Sequence, residues 1–172
     1  SFTASLLGCY CIPTTTYGCA SGDHITNVTV PATINPLNNE TGTCLNASYS
    51  DYMYLPAPAV QIGIPVSISV SVNNGGTEYA GAWIDYDVNG TFDPSEFITL
   101  TDADGFAPWI YVGSIAPPPG AVIGTTVLRV RSSYSTVIDA SSACSNAFLY
   151  GETEDYLIEI QPPPVPRQRQ HL

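Results

Sequence analysis

Residues 66–72 read Val-Ser-Ile-Ser-Val-Ser-Val, and this stretch decides the fold class. Its apolar residues occupy every second position, and serine occupies the positions between them. Successive side chains of an extended strand point to opposite faces of the sheet, so one face of this segment is apolar and the other is polar. A sheet with one buried face and one solvated face is typical of antiparallel β-domains. The stretch therefore predicts an all-β protein.

Further segments on both sides carry the same signal, because they are rich in β-branched and aromatic residues and are separated by turn residues. Asn73-Asn-Gly-Gly76 predicts a hairpin turn, and Pro117-Pro-Pro-Gly120 predicts a second turn. We expect an antiparallel, jelly-roll-like β-sandwich of about eight strands, at residues 25–30, 48–55, 60–72, 79–86, 97–100, 109–115, 125–134 and 156–160.

Composition divides the chain into three parts. Residues 1–24 are rich in cysteine and turn residues, which predicts an irregular N-terminal arm that disulfides pin onto the domain. Residues 25–161 hold the strand signals and form the expected sandwich. Residues 162–172 begin Pro-Pro-Pro-Val-Pro, which predicts a stiff linker or a docking peptide for a neighbour.

The charge balance excludes one class of partner. The net charge is −11, the chain has no lysine, and all 15 acidic residues precede Gln161. Such a surface repels a phosphate backbone and attracts divalent cations, although acidity also serves simply to keep a secreted protein soluble. We expect no nucleic acid partner. We also expect no membrane insertion, because no apolar run has the length of a spanning helix.

Five cysteines, at positions 9, 11, 19, 44 and 144, form no CxxC pair and lack the histidine spacing of a zinc site. They favour disulfides and therefore an oxidising compartment, so we expect a secreted or cell-surface protein. Ser1 suggests a chain from which a leader has been removed. Asn27, Asn39 and Asn46 begin sequons and are candidate glycosylation sites, while the sequon at Asn89 falls inside the motif described next.

The strongest local motif is Asp85-Tyr-Asp-Val-Asn-Gly-Thr-Phe-Asp-Pro-Ser-Glu96, which matches the calcium-loop pattern D-x-[DN]-x-[DN]-G-x5-E at every defined position. Alternate oxygen side chains converge on a hard cation as such a chain bends at its glycine. The expected Ca²⁺ ligands are Asp85, Asp87, Asn89, Thr91 through its carbonyl, Asp93 and Glu96.

The segments that flank this motif resemble strands and not the helices of an EF-hand, and Pro94 argues against an early helix. We therefore expect a hairpin connection that a calcium ion holds in place. A solvated acidic turn without metal is the alternative. Asp102 and Asp104 form a weaker oxygen cluster, which we interpret as an ordinary Asp-Gly turn.

Arg129 and Arg131 are the only cations before the tail, and their spacing places them on one face of a strand. Acidic residues cluster in Gly151-Glu-Thr-Glu-Asp-Tyr156, where the last strand begins. We expect a structural ion-pair network, with additional metal ligands as the alternative reading of the acids. The expected network consists of Arg129, Arg131, Glu152, Glu154 and Asp155.

This Gly-Glu-Thr-Glu-Asp-Tyr segment resembles the signature of the GEVED domain family, from which it differs by Thr153 in place of valine. Tyr10-Cys11, Trp83-Ile-Asp-Tyr-Asp87 and Arg129-Val-Arg131 agree with the family in the same order. The resemblance implies a non-catalytic β-sandwich module of a large secreted or surface-anchored bacterial protein. It also implies that Cys11 pairs with Cys144 and Cys19 with Cys44, which leaves Cys9 over.

The sequence contains no catalytic motif of the GxSxG or HExxH type, so we expect that the protein is not an enzyme. The expected function is that of a calcium-stabilised structural or adhesion module, with other domains or copies of a surface protein as partners. One alternative is a filament subunit that assembles through its tail or arm.

A second alternative is a carbohydrate-binding accessory module of a secreted hydrolase. Its candidate ligand platforms are Tyr52 with Tyr54 and Trp109 with Tyr111, because alternate residues of a strand face the same way and aromatic rings stack on sugars. Packing within the core is the other reading of these rings.

Overall fold

The structure is a computed structural model, and it describes residues 10–19, 21–44, 47–73 and 76–165. These residues form strands and short 3-10 turns at Pro94–Glu96 and Ser142–Cys144. The strands are β1 (Ile25–Val30), β2 (Leu37–Glu40), β3 (Tyr49–Asp51), β4 (Ala59–Gln61), β5 (Val66–Val72), β6 (Glu78–Ile84), β7 (Phe97–Ile98), β8 (Thr101–Asp102), β9 (Trp109–Ile115), β10 (Gly124–Tyr134) and β11 (Thr153–Gln161).

The strands form two sheets, which confirms an all-β, sandwich-like fold. The first sheet has the order β2-β1-β5-β9-β8, and the second has the order β3-β11-β10-β6-β7, with β4 also paired to β11. Most strand pairs are antiparallel, as expected, but β3 and β4 both run parallel to β11. In the part of the chain that the structure describes, no helix has the length and apolar character needed to cross a membrane.

The described residues contain 11 strands, more than the eight or so expected. The segment expected at 60–72 divides into β4 and β5, because the chain takes a positive φ of 76° at Gly63 and reaches Pro65 soon after. The additional strand β2 reads Leu-Asn-Asn-Glu and pairs with β1 at the edge of the first sheet. Its composition has little strand propensity, so this pairing depends on tertiary contacts.

The turn expected at residues 73–76 does not form a hairpin. β5 lies in the first sheet and β6 in the second, so the connection between them passes from one sheet to the other. Asn74 and Gly75 lie outside the described residues. The turn expected at Pro117–Gly120 is present, and it too connects strands of different sheets, β9 and β10.

The main core lies between the two sheets. The alternation predicted for residues 66–72 is confirmed, because Ile68, Val70 and Val72 of β5 are fully buried and join this core. They pack with buried residues of the second sheet such as Leu128 and Val130 of β10. Removal of such side chains from water is the dominant stabilising contribution to the fold.

A second, smaller core covers the outer face of the second sheet, which is the face that carries Val127, Arg129 and Arg131 of β10. The connection between β10 and β11 and residues 10–19 fold over this face, as the hydrogen bonds from Thr16 N to Phe148 O and from Tyr17 N to Leu149 O show. We call its buried residues the outer cluster: Tyr10, Met53, Trp83, Phe92, Val127, Ile138, Ala143 and Phe148.

Candidate metal centre

The acidic motif forms the connection between β6 and β7, which pair antiparallel through Ala82 with Ile98 and Trp83 with Phe97. The motif is therefore a hairpin connection and not an EF-hand. Val88 and Gly90 have positive φ angles of 57° and 84°, so the chain bends sharply between them. The left-handed region is readily accessible to glycine, whereas it costs valine steric strain.

Asp85 is the anchor of this loop. Its side chain is fully buried directly after β6. Oδ1 accepts a hydrogen bond from Asn89 N at 3.1 Å, and Oδ2 accepts one from Gly90 N at 2.9 Å. Tyr10 also donates its hydroxyl hydrogen to Asp85 Oδ2, at 2.5 Å. These donors satisfy a carboxylate that burial would otherwise penalise.

Glu96 closes the loop from the opposite side. It ends the 3-10 turn at Pro94–Glu96, and its Oε1 and Oε2 accept hydrogen bonds from Tyr86 N at 2.7 Å and Asp93 N at 2.9 Å. Burial raises the pKa of Glu96, and the nearby charge of Asp85 raises it further. The ionised form of Glu96 is therefore disfavoured in this environment.

The loop brings together three of the six expected ligands. One carboxylate oxygen from each of Asp85, Asp87 and Glu96 lies within 4.8 Å of the others. Asn89 Nδ2 donates to Asp87 Oδ2 at 3.0 Å and to Asp93 Oδ2 at 3.2 Å, so the amide links Asp93 to this group. Carboxylates that converge in this way are the ligand set that Ca²⁺ prefers.

The amide oxygen of Asn89 is turned away from this group, because it accepts hydrogen bonds from Thr91 N at 2.7 Å and Thr91 Oγ1 at 2.6 Å. The residues present fit a divalent cation in charge and in ligand type, provided that Asn89 rotates so that its oxygen replaces its nitrogen. The weaker oxygen cluster, Asp102 and Asp104, forms a turn, as expected. Asp102 Oδ1 accepts a hydrogen bond from Asp104 N, and Asp104 Oδ1 accepts one from Phe106 N.

A buried arginine lies beside the loop. Arg129 stacks on Phe92, with its guanidinium carbon 4.7 Å from the ring centroid, and Tyr10 packs on the same ring at 5.1 Å. Arg129 Nε and Nη2 donate to Asp155 Oδ1 and Oδ2 at 2.8 and 2.7 Å, and neither side chain is exposed. This bidentate pair joins β10 to the signature segment at the start of β11.

Residues 79–159 match the family model described as the GEVED domain. The chain carries a GEVED domain. The matched segment runs from β6 to β11, so it includes the acidic loop, both buried arginines and the signature residues 151–156. Searches of curated proteins and of solved structures found no match.

Within the GEVED domain the expected ion-pair network is smaller than predicted. Glu154 pairs in register with Val130, whereas Asp155 pairs with Arg129. Directly paired residues share a face, so Glu154 faces the main core, opposite to the arginines. Glu152 lies on the core side too, where it contacts Ser50. The structure thus unites only Arg129 and Asp155 of the expected set.

Arg131 lies beside Arg129 on the outer face and is fully buried. Its guanidinium stacks on Phe148 at 4.7 Å, and Nη1 donates to the carbonyl oxygen of Ser142. Within the described residues, Nε and Nη2 have no hydrogen-bond partner. Burial lowers the pKa of Arg131 to about 9, and the neighbouring charge of Arg129 contributes to this shift.

The two core-facing glutamates make hydrogen bonds to neutral groups. Glu152 Oε1 accepts from Ser50 Oγ at 2.8 Å, and Oε2 accepts from Ile25 N at 3.2 Å. Glu154 Oε2 accepts from Tyr156 OH at 2.6 Å. Burial raises the pKa of both carboxyl groups, and that of Glu154 lies well above its ordinary value because Glu152 is also nearby.

The two expected aromatic platforms are absent from the surface. Tyr52 and Tyr111 are each only 6 % exposed and belong to the main core, whereas Tyr54 is 77 % exposed. β3 ends at Asp51 and the chain turns, so strand alternation does not extend to Tyr52 and Tyr54. Trp109 is partly buried against the core and donates Nε1–H to Gly76 O at 2.7 Å. Neither pair presents two rings to solvent.

The structure joins Cys11 to Cys144 and Cys19 to Cys44, the two pairs that the resemblance implied. Two disulfides are compatible with an extracellular protein. Cys9 and the candidate glycosylation site Asn46 lie outside the described residues.

The other two sequon asparagines use their amide nitrogens in hydrogen bonds. Asn27 Nδ2 donates to Asn38 Oδ1 at 2.8 Å, and Asn39 Nδ2 donates to Tyr156 OH at 3.0 Å. A glycan on Asn39 would replace a hydrogen of the nitrogen that makes this partly buried contact.

Sequence reasoning missed two contacts of the acidic loop, that of Tyr10 with Asp85 and that of Phe92 with Arg129. The only signal for Tyr10 was its position next to Cys11, since a disulfide from Cys11 to Cys144 fixes where the preceding residue lies. Phe92 sits between two expected ligands, and a large apolar ring at that position is the one signal of a buried contact.

Proposed function

We propose that this protein is a non-catalytic, calcium-stabilised structural or adhesion module of a secreted or cell-surface protein. The observation that carries the proposal is the convergence of Asp85, Asp87 and Glu96 within 4.8 Å in a hairpin connection. Two of these carboxylates are buried, and a buried acid pair without a cation is unfavourable. A divalent cation would relieve that repulsion.

The chemistry of the loop favours Ca²⁺ among divalent cations. All six candidate ligands offer oxygen, and a set of four carboxylates with an amide and a carbonyl suits a hard, flexibly coordinated ion. The loop contains neither cysteine nor histidine, the ligands that favour zinc and copper. Asp85, Asp87, Asn89, Asp93 and Glu96 would hold the ion through side chains and Thr91 through its carbonyl.

The loop is connected to the rest of the fold through the outer cluster. Tyr10 links it to the N-terminal segment by the hydrogen bond to Asp85, and Phe92 links it to Arg129. A cation that orders the loop would therefore also stabilise the outer cluster, which covers the second sheet. This is a role in stability, with no requirement for a conformational switch.

The proposed partners are other domains or copies of a surface protein. Residues 162–165, which follow β11, are exposed and read Pro-Pro-Pro-Val. Such a sequence suits a stiff spacer to a neighbour. Disulfides, sequons and an acidic surface support an extracellular location. The platforms that motivated carbohydrate binding are not exposed as pairs, so glycan recognition has less support than a structural role.

Thermal unfolding with and without calcium tests the proposal. At a calcium concentration of about 100 Kd we expect roughly 2.7 kcal/mol of stabilisation, which corresponds to a rise in Tm of about 5–10 °C for a domain of this size. Asp87→Asn should abolish this rise and leave the Tm in chelator close to that of the parent, because Asp87 is exposed.

Asp104→Asn is the matched control, since Asp104 is an exposed aspartate of the neighbouring turn. It should retain the full calcium response. A parent protein whose Tm is the same in millimolar calcium and in chelator, with no heat of binding in calorimetry, would overturn the proposal.

A further inference from the structure

The guanidinium of Arg129 uses all of its hydrogens, and one of its acceptors is unusual. Nε and Nη2 bind Asp155, Nη2 also donates to Cys11 O at 2.7 Å, and Nη1 donates to Ala143 O at 3.1 Å. The remaining Nη1 hydrogen points at Cys11 Sγ, 2.8 Å away. A disulfide sulfur is a weak acceptor, so this N–H donor is poorly used while the disulfide is intact.

The contact distinguishes the two sulfurs of the Cys11–Cys144 disulfide. Arg129 Nη1 lies 2.8 Å from Cys11 Sγ and 3.9 Å from Cys144 Sγ. Cys144 is an exposed residue at the end of a 3-10 turn, whereas Cys11 is half-buried over the outer face of the second sheet. Cys144 is thus the more exposed residue of the pair, and the sulfur of Cys11 has a cation in place to stabilise a negative charge.

We propose that Cys11–Cys144 is a site of thiol–disulfide exchange that takes a low-molecular-weight thiol at Cys144. The thiolate of the external thiol attacks Cys144 Sγ and forms a new sulfur–sulfur bond, while the bond between Cys144 and Cys11 breaks. Its electron pair remains on Cys11 Sγ, which leaves as a thiolate. The step conserves the number of disulfides and needs no separate oxidant or reductant.

Arg129 makes Cys11 the better leaving group. Exchange is faster when the leaving thiol is more acidic, and a thiolate accepts a strong charge-assisted hydrogen bond from a guanidinium. The donor that is poorly used in the disulfide becomes fully used in the product. The acidic surface of the protein also favours a cationic thiol over an anionic one near Cys144.

The second disulfide supplies an internal comparison. Cys19 is fully buried, and Cys44 is its half-buried partner. Among the described residues, no arginine donates a hydrogen bond to the sulfur of Cys19 or Cys44. Arg129 does so at the Cys11–Cys144 disulfide. The exchange chemistry is therefore specific to one of the two disulfides.

The first test locates the exchange. The Cys9→Ser protein, which removes the fifth thiol, is treated under native conditions with cysteamine, quenched with N-ethylmaleimide and mapped by mass spectrometry. We expect Cys11–Cys144 to open at least about tenfold faster than Cys19–Cys44, with cysteamine attached to Cys144 and maleimide on Cys11. Attachment of cysteamine mainly to Cys11, or equal opening of both disulfides, would overturn the proposal.

The second test separates the effect of Arg129 from simple access. Cys9→Ser/Cys144→Ser leaves Cys11 as a free thiol beside Arg129, and Cys9→Ser/Cys19→Ser leaves Cys44 free as the control. The alkylation rate by iodoacetamide is measured against pH, with near-UV circular dichroism as the check of folding. The pH at which the alkylation rate of Cys11 is half-maximal should lie at least one unit below about 8.5, the value typical of a cysteine thiol. The corresponding pH for Cys44 should not be lowered in this way. A Cys11 midpoint at or above that of Cys44 in folded proteins would overturn the proposal.

Discussion

Asp155 lies against Arg129 through two parallel hydrogen bonds of 2.8 and 2.7 Å, and both side chains are completely buried. Tyr49 adds a third hydrogen bond to the carboxylate, from its hydroxyl to Oδ2 at 2.9 Å. The pair connects β10, β11 and β3, since Tyr49 belongs to β3. The signature aspartate is therefore a structural anchor for three strands of the second sheet.

Replacement of the two buried arginines should have unequal effects. Arg129→Met leaves Asp155 buried without its cation, so we expect a loss of about 3–5 kcal/mol in the free energy of unfolding. Arg131→Met removes a side chain that has one hydrogen bond and two unpartnered nitrogen atoms within the described residues. It should cost less than about 1 kcal/mol or stabilise the fold. Urea unfolding in saturating calcium measures both, and equal losses would contradict this assignment.

The first residue of the signature should not tolerate a side chain. Gly151 has a φ of 135°, and a Cβ atom there would lie 2.2 Å from the carbonyl oxygen of Ser132. The obstacle is backbone of β10, which cannot move without loss of sheet pairing. Gly151→Ala should lower the free energy of unfolding by roughly 2–4 kcal/mol.

Gly63→Ala is the control for Gly151→Ala. Gly63 has a φ of 76°, with no atom within 4 Å of the added Cβ, so only conformational strain remains. Its cost should be about 1–2 kcal/mol. If the two substitutions had the same cost, close contact at Gly151 would not be the reason for the signature glycine.

Strand alternation explains both the success and the failure of the predicted ion-pair network. It correctly placed Arg129 and Arg131 on one face of β10. The same rule separates Glu154 from Asp155, because adjacent residues of a strand face opposite sides. The expected strand began at Tyr156, but β11 begins at Thr153, so the alternation already applies to Glu154 and Asp155.

Sequence patterns failed to predict structure where tertiary contacts override the local preference of a segment. The hairpin around the acidic loop was predicted from the strand-like segments 80–84 and 97–100 that flank it, and β6 and β7 do pair there. β2 could not be found in this way, because Leu-Asn-Asn-Glu carries no alternation and pairs only as a neighbour of β1. The contact of Tyr10 with Asp85 spans 75 positions of sequence, a distance at which no local pattern is informative.

Glu154 should make the stability of the protein depend on pH. Burial and the nearby Glu152 raise its pKa in the folded state well above the value in the unfolded chain. Its contribution to stability is therefore fully present below the unfolded pKa of about 4.3, and it is lost as the pH rises through the folded pKa. Glu154→Gln removes this titration while it retains an acceptor for Tyr156 OH.

The melting temperatures of Glu154→Gln and the parent, measured in chelator from pH 4.5 to pH 8, check this prediction. The variant should be similar to the parent at pH 4.5 and more stable at pH 8, by about 2–4 °C for each kcal/mol gained. Glu40→Gln, at an exposed residue of β2, should follow the parent at every pH. A variant that is less stable than the parent at pH 8 would show that the ionised carboxylate is required.

Tyr10 should couple the N-terminal segment to the acidic loop through one hydroxyl group. Tyr10→Phe retains the ring that packs on Phe92 but removes the donor to Asp85 Oδ2. Burial raises the pKa of Tyr10, and its hydrogen bond to Asp85 raises it further, so the hydroxyl stays protonated and remains a donor at neutral pH. A hydrogen bond to a buried charge contributes about 1.5–3 kcal/mol, and we expect a loss of this size in urea unfolding.

Tyr17→Phe is the matched control for Tyr10→Phe, because Tyr17 is 61 % exposed and packs against Tyr150 through its ring. It should change the free energy of unfolding by less than about 0.5 kcal/mol. Should Tyr10→Phe be equally mild, the backbone donors of Asn89 and Gly90 would suffice for Asp85. The N-terminal segment would then be held by the Cys11–Cys144 disulfide, by ring packing and by the backbone hydrogen bonds of Thr16 and Tyr17, because those contacts do not involve the hydroxyl.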